Sequence, residues 1–312
     1  MTPLSTRPGP CRALVAAAAL SVVLAVAACG TDSDTPATEE LTPSTTAVTL
    51  PVSDVTTTLV DPGAEPRAVI ASGPSQDQQS ATLTTESTIV QQIDAAAPQD
   101  FSTPALTMPM TATSSETEGA DTLDIAMTLG AATTPDATLQ ASLSPTEGSS
   151  ARLTTTASGA VTALTIDPSP DARDIARSAV EQALSQAVYR AVPFPAEPVG
   201  VGASWTVTQE VVSGISLKQT TTVTLKALDN GVATVDVAVE QSPEDPVWQL
   251  PDNQGTLNIE SFVMTGQGEL RIDPSKPLPL GGTVTVGGDQ IYRDANSQTT
   301  LKQTTGNTVT WS

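Results

Sequence analysis

The chain has 312 residues, with 34 acidic residues against 13 basic ones, no histidine and two cysteines. A formal net charge of −21 argues against nucleic acid as a partner, because neutralising phosphate needs clustered Lys and Arg. The lack of histidine removes Ser-His-Asp and Cys-His catalysis and nearly every zinc, copper and non-haem iron site. We therefore expect no metal, no other cofactor and no enzymatic activity.

The N-terminus has the layout of a secretory signal peptide over residues 1–28. Arg7 and Arg12 form a basic start without any acid, and residues 13–28 are apolar and rich in small side chains. This run is short for a helix that crosses a bilayer, which needs ~20 residues. We expect residues 1–28 to be removed after export.

The end of that segment carries a second signal. Val26, Ala27 and Ala28 precede Cys29, and this order resembles the lipobox of bacterial lipoproteins. The resemblance implies cleavage after Ala28, a lipid on Cys29, and a membrane anchor at the extracytoplasmic face of the cell membrane. An ordinary signal peptide with an incidental cysteine is the alternative. The abundance of Ala, Val and Thr, with more Arg than Lys, suggests a GC-rich, actinobacterial source.

Residues 29–52 are predicted to be the lipidated cysteine and a disordered tether. Pro, Thr, Ser and acidic residues dominate there, and the segment carries too little apolar surface to order itself.

The remainder is predicted to be mainly β. Apolar and polar residues alternate with period two, which predicts antiparallel strands with one buried face. The strongest hairpin signal is Asp229-Asn230-Gly231 between two such runs, because Asn-Gly suits a tight turn. The alternating segments are residues 80–88, 120–129, 137–144, 151–158, 220–228, 232–241, 256–261, 268–273 and 282–288.

One amphipathic helix, at about residues 169–190, is predicted to interrupt the strands and to pack on the sheet. Asp167 or Ser169 can cap it, and Pro170 suits its first turn. Its apolar stripe is narrow and rich in alanine, and we expect that stripe to face any ligand held between helix and sheet. The stripe consists of Ile175, Ala179, Val180, Ala183, Leu184, Ala187 and Val188.

A faint internal repeat suggests two related β halves, at 53–168 and 193–312, joined by a connecting helix segment at 169–192. "LTIDPSP" at 164–170 matches "LRIDPSK" at 270–276. Chance similarity between strands of low diversity is the alternative. The expected fold is one or two curved antiparallel sheets with the helix on the sheet.

The segment after the helix carries a further resemblance. "PFPAEPVGVGASW", from Pro193 to Trp205, is similar to the junction in a family of uncharacterised exported bacterial proteins, many of them lipoproteins. That resemblance implies a fold and a location but no activity. At the level of fold alone, a curved sheet with a helix packed on it resembles the lipid-carrying lipoproteins of mycobacteria.

Two pairs of acidic residues, Glu244-Asp245 and Glu116 with Glu118, could supply carboxylates for chemistry. Both lie in segments rich in Pro or Ser and lack the spacing of a calcium loop. We interpret them as solvated loops.

Two non-enzymatic functions remain open. The protein could bind an apolar ligand or lipid between helix and sheet, which needs a connected apolar cavity. Alternatively, it could be an interaction or structural module of the cell envelope with a filled core and a protein partner. The space beneath the helix distinguishes the two.

Overall fold

The computed structural model describes residues 47–50, 52–250 and 255–312, and the fold is mainly antiparallel β. The predicted signal peptide, Cys29 and most of the predicted tether lie outside these residues. The strands are β1 (Val48–Leu50), β2 (Val55–Asp61), β3 (Ser75–Ile93), β4 (Gln99–Asp100), β5 (Thr103–Glu116), β6 (Thr122–Leu129), β7 (Ser150–Thr156), β8 (Val161–Asp167), β9 (Ser204–Ser213), β10 (Ile215–Asp229), β11 (Val232–Pro243), β12 (Val247–Gln249), β13 (Thr256–Phe262), β14 (Met264–Ile272), β15 (Gly281–Asp294) and β16 (Thr300–Trp311). The two α-helices of the described part are α1 (Ala137–Leu143) and α2 (Asp174–Val188).

The strands of both predicted halves form a single sheet. Its order is β1-β8-β7-β6-β5-β3-β16-β15-β14-β11-β10-β9-β2, with β4, β12 and β13 added at its sides. The pairing of β3 with β16 joins the two halves. The prediction of a mainly antiparallel β fold with a helix on the sheet is confirmed.

The sheet must curl strongly, because its two outer strands are neighbours in sequence. In a flat arrangement of the 13 strands of that path, β1 and β2 would lie about 58 Å apart, at ~4.8 Å for each spacing. Leu50 and Val55 are only five residues apart, so the chain between them spans at most ~18 Å. Strand β1 pairs with β8 and strand β2 pairs with β9. These two consecutive strands therefore keep the two ends of the strand order close together.

The position of β1 corrects the predicted boundary of the tether. Val48–Leu50 fall within residues 29–52, yet they pair with Leu164–Ile166 of β8. Val48 and Leu50 alternate with Thr49, and β8 offers an edge for them. A three-residue strand is too short to show a period, so the sequence pattern did not reveal it.

The predicted helix is present as α2, shorter at its start than expected. It begins after Arg173, which makes no side-chain cap, whereas Asp167 ends β8 and Pro170 lies in the turn between. Ile175 is a correction to the predicted stripe, because it is 58% exposed. Ala176 is fully buried instead, since the helix is rotated so that positions 176, 180, 183, 184 and 188 face the sheet.

Residues 137–144 form a helix and not the predicted strand. α1 covers Ala137–Leu143, and the side chain of Asp136 accepts a hydrogen bond from the Leu139 N–H at 2.7 Å. This N-cap satisfies one of the free donors at the helix start. Over seven residues, an alternating pattern does not distinguish a strand from two helical turns.

The predicted hairpin is confirmed at residues 229–232. Asp229 pairs with Val232, and the two loop residues Asn230 and Gly231 have φ of 51° and 85°. Positive φ at both central positions is the geometry that Asn-Gly favours. The two halves of the sequence repeat occupy different positions, because Leu164 lies in β8 near the sheet edge and Leu270 lies in the middle of the sheet.

The core lies between α2 and the inner face of the sheet. Trp205 is fully buried there, packs against Phe194 at 5.7 Å between ring centroids, and donates its Nε1–H to the Pro193 carbonyl at 2.9 Å. The proline-rich junction after the helix is therefore fixed against β9. Within the described residues, no helix has the length and apolar character needed to span a membrane.

Candidate functional site: a polar belt between helix and sheet

The apolar stripe of α2 packs directly on the sheet. Val180, Ala183 and Leu184 are each at most 3% exposed and belong to the same core as the inner faces of the strands. A cavity of about 10 Å³ lies beside the end of the helix, between Val188, Ala191, Val161 and Gln209. That volume is about what a single water molecule requires.

Beyond this apolar contact, three glutamines stand side by side on neighbouring strands. Gln209 of β9 is directly opposite Gln219 of β10, which is directly opposite Gln241 of β11. All three are buried on the inner face. The Gln241 Nε2–H donates to Gln219 Oε1 at 2.8 Å.

These glutamines hold the C-terminal end of α2. The carbonyl of Tyr189 accepts hydrogen bonds from Gln209 Nε2 at 3.1 Å and from Gln219 Nε2 at 3.0 Å. Arg190 Nη1 donates to Gln219 Oε1 at 2.8 Å. Since the last carbonyls of a helix lack partners within the helix, side chains of the sheet complete this end.

Polar side chains continue across the inner face from β11 to β3. Gln241 is opposite Met264, whose sulfur accepts from Gln290 Nε2, and Gln290 Nε2 also donates to Thr305 Oγ1 at 3.1 Å. Two residues along β16, Asn307 Nδ2 donates to Ser87 Oγ of β3 at 3.2 Å.

The last turn of α2 reaches the same region, because Gln186 Nε2 also donates to Ser87 Oγ, at 3.1 Å. We call the set the polar belt. It consists of Ser87, Gln186, Arg190, Gln209, Gln219, Gln241, Gln290, Thr305 and Asn307.

Several groups of the polar belt are buried without a hydrogen-bond partner. They are Arg190 Nε, Gln186 Oε1, Gln290 Oε1 and Asn307 Oδ1. Buried polar atoms are usually satisfied, so each exception points to water, a ligand or stored strain. The belt thus offers one donor on a cation and three amide oxygens.

Arg190 has an unusual electrostatic position. Burial lowers its pKa from 12.5 to about 10, and burial is the whole cause of that shift. The guanidinium remains charged at neutral pH. Its acceptors are neutral, the Gln219 side-chain amide and the Tyr189 carbonyl, although the chain carries 34 acidic residues.

The acidic pairs singled out in the sequence are not part of the belt. Glu244, Asp245, Glu116 and Glu118 are exposed. Across the described ranges, no group of three His, Cys, Asp or Glu is placed to hold a metal ion. The structure therefore does not bring the carboxylates together as a site.

Sequence reasoning missed the glutamines, although a signal was available. In β9 and β11 the buried phase runs through Val207 to Gln209 and through Val239 to Gln241. In β10, Gln219 lies in phase with Leu217 and Val223. A polar residue that repeatedly takes the apolar phase of a strand marks a buried polar layer.

Comparison with known families matches part of the chain. Residues 178–278 match a family of unknown function (DUF6263). The matched stretch contains Arg190, Gln209, Gln219 and Gln241, and it covers about a third of the chain. No match was found among curated proteins.

Proposed function

We propose that the protein is a non-enzymatic lipoprotein, anchored through Cys29 at the extracytoplasmic face of the cell membrane. Its folded part acts as an interaction or structural module of the cell envelope. The observation that carries the second statement is the contact between α2 and the sheet, where Val180, Ala183 and Leu184 are buried and the cavity beside the helix end measures about 10 Å³.

The same contact favours the interaction module over the lipid carrier. Pockets for small molecules usually have volumes of ~300–1,000 Å³, far above the cavity at the end of α2. A lipid would have to displace Val180, Ala183 and Leu184 from the core. Lipid binding between helix and sheet stays as the second candidate, because the belt has unpartnered polar groups that suit a headgroup.

The proposed anchor depends on the sequence alone, since residues 26–29 lie outside the described part. The lipobox-like order of Val26, Ala27, Ala28 and Cys29 supports it. Strand β1 begins at Val48, so fewer than 20 residues separate the anchor from the sheet. The folded module would therefore stay close to the membrane.

The nature of a partner follows from charge. After the predicted signal, 11 basic residues stand against 34 acidic ones. Complementary charge steers association and fixes its specificity. We therefore expect a protein partner with a basic surface, and neither nucleic acid nor a flat contact with anionic lipid headgroups.

The proposal against enzymatic activity has its support in the composition. Without histidine, and with Cys29 as the one cysteine left after cleavage, the usual nucleophile–base pairs are missing. The exposed Glu244 and Asp245 lack the burial that tunes a catalytic carboxylate.

Two measurements test the proposal. Cells that produce the wild-type chain or Cys29→Ala are fractionated, and we expect only the variant to leave the membrane. Cys29→Ala protein from the same host, which carries no covalent lipid, is then examined by native mass spectrometry. We expect the mass of the polypeptide alone, whereas a bound lipid at about one per chain would establish the carrier function instead.

A further inference from the structure

Arg190 has hydrogen-bonding capacity that the protein does not use. Its Nη1 donates to Gln219 Oε1 at 2.8 Å and, at 3.4 Å, to the Tyr189 carbonyl. Its Nε is buried without any partner. The residue as a whole is half-buried, so it keeps contact with solvent. The guanidinium is therefore held at one nitrogen and unsatisfied at another.

The charge of Arg190 is not neutralised within the described part of the chain. Arg152, Lys226 and Arg293, each at least a third exposed, form ion pairs with carboxylates, and the more buried Arg177 forms one with Asp174. Among the described residues, no carboxylate lies within 4.0 Å of the Arg190 guanidinium. A buried charge without a partner is costly, and proteins normally pair it.

The groups bonded to Arg190 fix its position without neutralising its charge. Gln219 Oε1 accepts from both Arg190 and Gln241, and Gln219 Nε2 is bonded to the Tyr189 carbonyl. These amides orient the guanidinium without offering it a negative charge. In a chain with 34 acidic residues, neutral amides at this place preserve a positive site.

We propose that Arg190 is the anchor of a binding site for an oxyanion, namely the carboxylate or phosphate group of a small molecule or of a lipid headgroup. A guanidinium presents parallel N–H donors that match the two oxygens of such a group. Gln186 lies one helical turn before Arg190, and its Oε1 is also buried without a hydrogen-bond partner. The site goes beyond the proposed interaction function and does not depend on it.

The test is a titration of the purified chain at constant ionic strength. Inorganic phosphate, acetate and a water-soluble short-chain phosphatidic acid are added separately, and binding is measured by calorimetry and by the shift of the melting temperature. We expect saturable binding to at least one of them by the wild-type chain.

Three variants separate a site from a general effect of salt. Arg190→Gln should weaken the apparent affinity at least tenfold, because it removes the charge. Arg190→Lys, which keeps the charge but loses the paired donors, should give an intermediate affinity. The exposed Arg271 provides the control, and Arg271→Gln should bind like the wild type.

The outcomes are distinct. An equal response of Arg190→Gln, Arg271→Gln and the wild type, with each variant folded by circular dichroism, would overturn the proposal. So would the absence of saturable binding to all three probes. A tenfold preference for the phosphatidic acid over phosphate identifies a lipid headgroup as the source, and comparable affinities identify a free anion. Native masses without co-purified lipid leave the proposed function standing in either case.

Discussion

Replacing Arg190 with methionine should leave the folded state as stable as the wild type, or make it more stable. The pKa of Arg190 falls from 12.5 to about 10, and each pKa unit corresponds to ~1.36 kcal/mol, so burial of the charge costs about 3 kcal/mol at pH 7. The variant removes this cost. It also removes the bond to Gln219, which as a hydrogen bond to a charged group contributes ~1.5–3 kcal/mol.

The remaining bonds do not collapse with that change. Gln219 Oε1 keeps its bond from Gln241, and the Tyr189 carbonyl keeps its two glutamine donors. The net effect of Arg190→Met should therefore be about 0–2 kcal/mol of stabilisation. Gln219→Met should act in the opposite direction and cost ~3 kcal/mol or more, because it leaves the buried cation without its acceptor.

Urea denaturation at pH 7 measures both free energies of unfolding. The difference between wild type and Arg190→Met should stay constant from pH 5 to 9, since Arg190 is protonated in both folded and unfolded states there. Between about pH 10 and 12.5 the unfolded state binds more protons, so the cost of burial fades as pH rises. A loss of more than ~2 kcal/mol in Arg190→Met would refute the reasoning, because it would mean that the charge is neutralised in the folded protein.

Two further predictions concern the closing segment and the junction after the helix. Deleting residues 47–61 should abolish the cooperative melt and cause aggregation on size-exclusion chromatography, because the edges of β8 and β9 lose their partner strands. Deleting residues 30–46 should leave the melt unchanged. A normal melt without residues 47–61, or a lost melt without residues 30–46, would contradict this account. Trp205→Phe should lower the free energy of unfolding, measured by urea denaturation, by ~1–3 kcal/mol, because the Pro193 carbonyl loses its donor and the smaller ring leaves a void. An unchanged free energy of unfolding would contradict the role given to this hydrogen bond.

Local patterns of the sequence predict eight of the sixteen strands, the 229–232 hairpin and helix α2, because alternation and turn chemistry act over a few residues. Closure of the sheet could not be predicted in this way. It depends on Val48–Leu50 and Val55–Asp61 finding partners in β8 and β9, which are more than 100 residues away. Helix α1 was missed because its seven residues fit both periods, although Asp136 is a good N-cap.

The polar belt shows a different limit of sequence patterns. Gln219 is typical of an exposed strand position by residue type, and only its phase with Val223 indicates burial. Its partners Gln209 and Gln241 come from strands whose register with β10 is set by the whole sheet. Tertiary pairing therefore creates the site, and no single segment carries its signature.

The most direct test of the central claim, that the space between helix and sheet is filled, is a comparison of two tryptophan substitutions on α2. Ala183 is 2% exposed against the sheet, and Gln182 beside it is exposed. Overpacking a filled core costs ~1–3 kcal/mol, which for a folded part of this size lowers the melting temperature by roughly 2–6 °C. We predict that loss for Ala183→Trp and a change within about 1 °C for Gln182→Trp. If Ala183→Trp melted at the temperature of the wild type, a void would exist beneath the helix, and the filled-core account would be wrong.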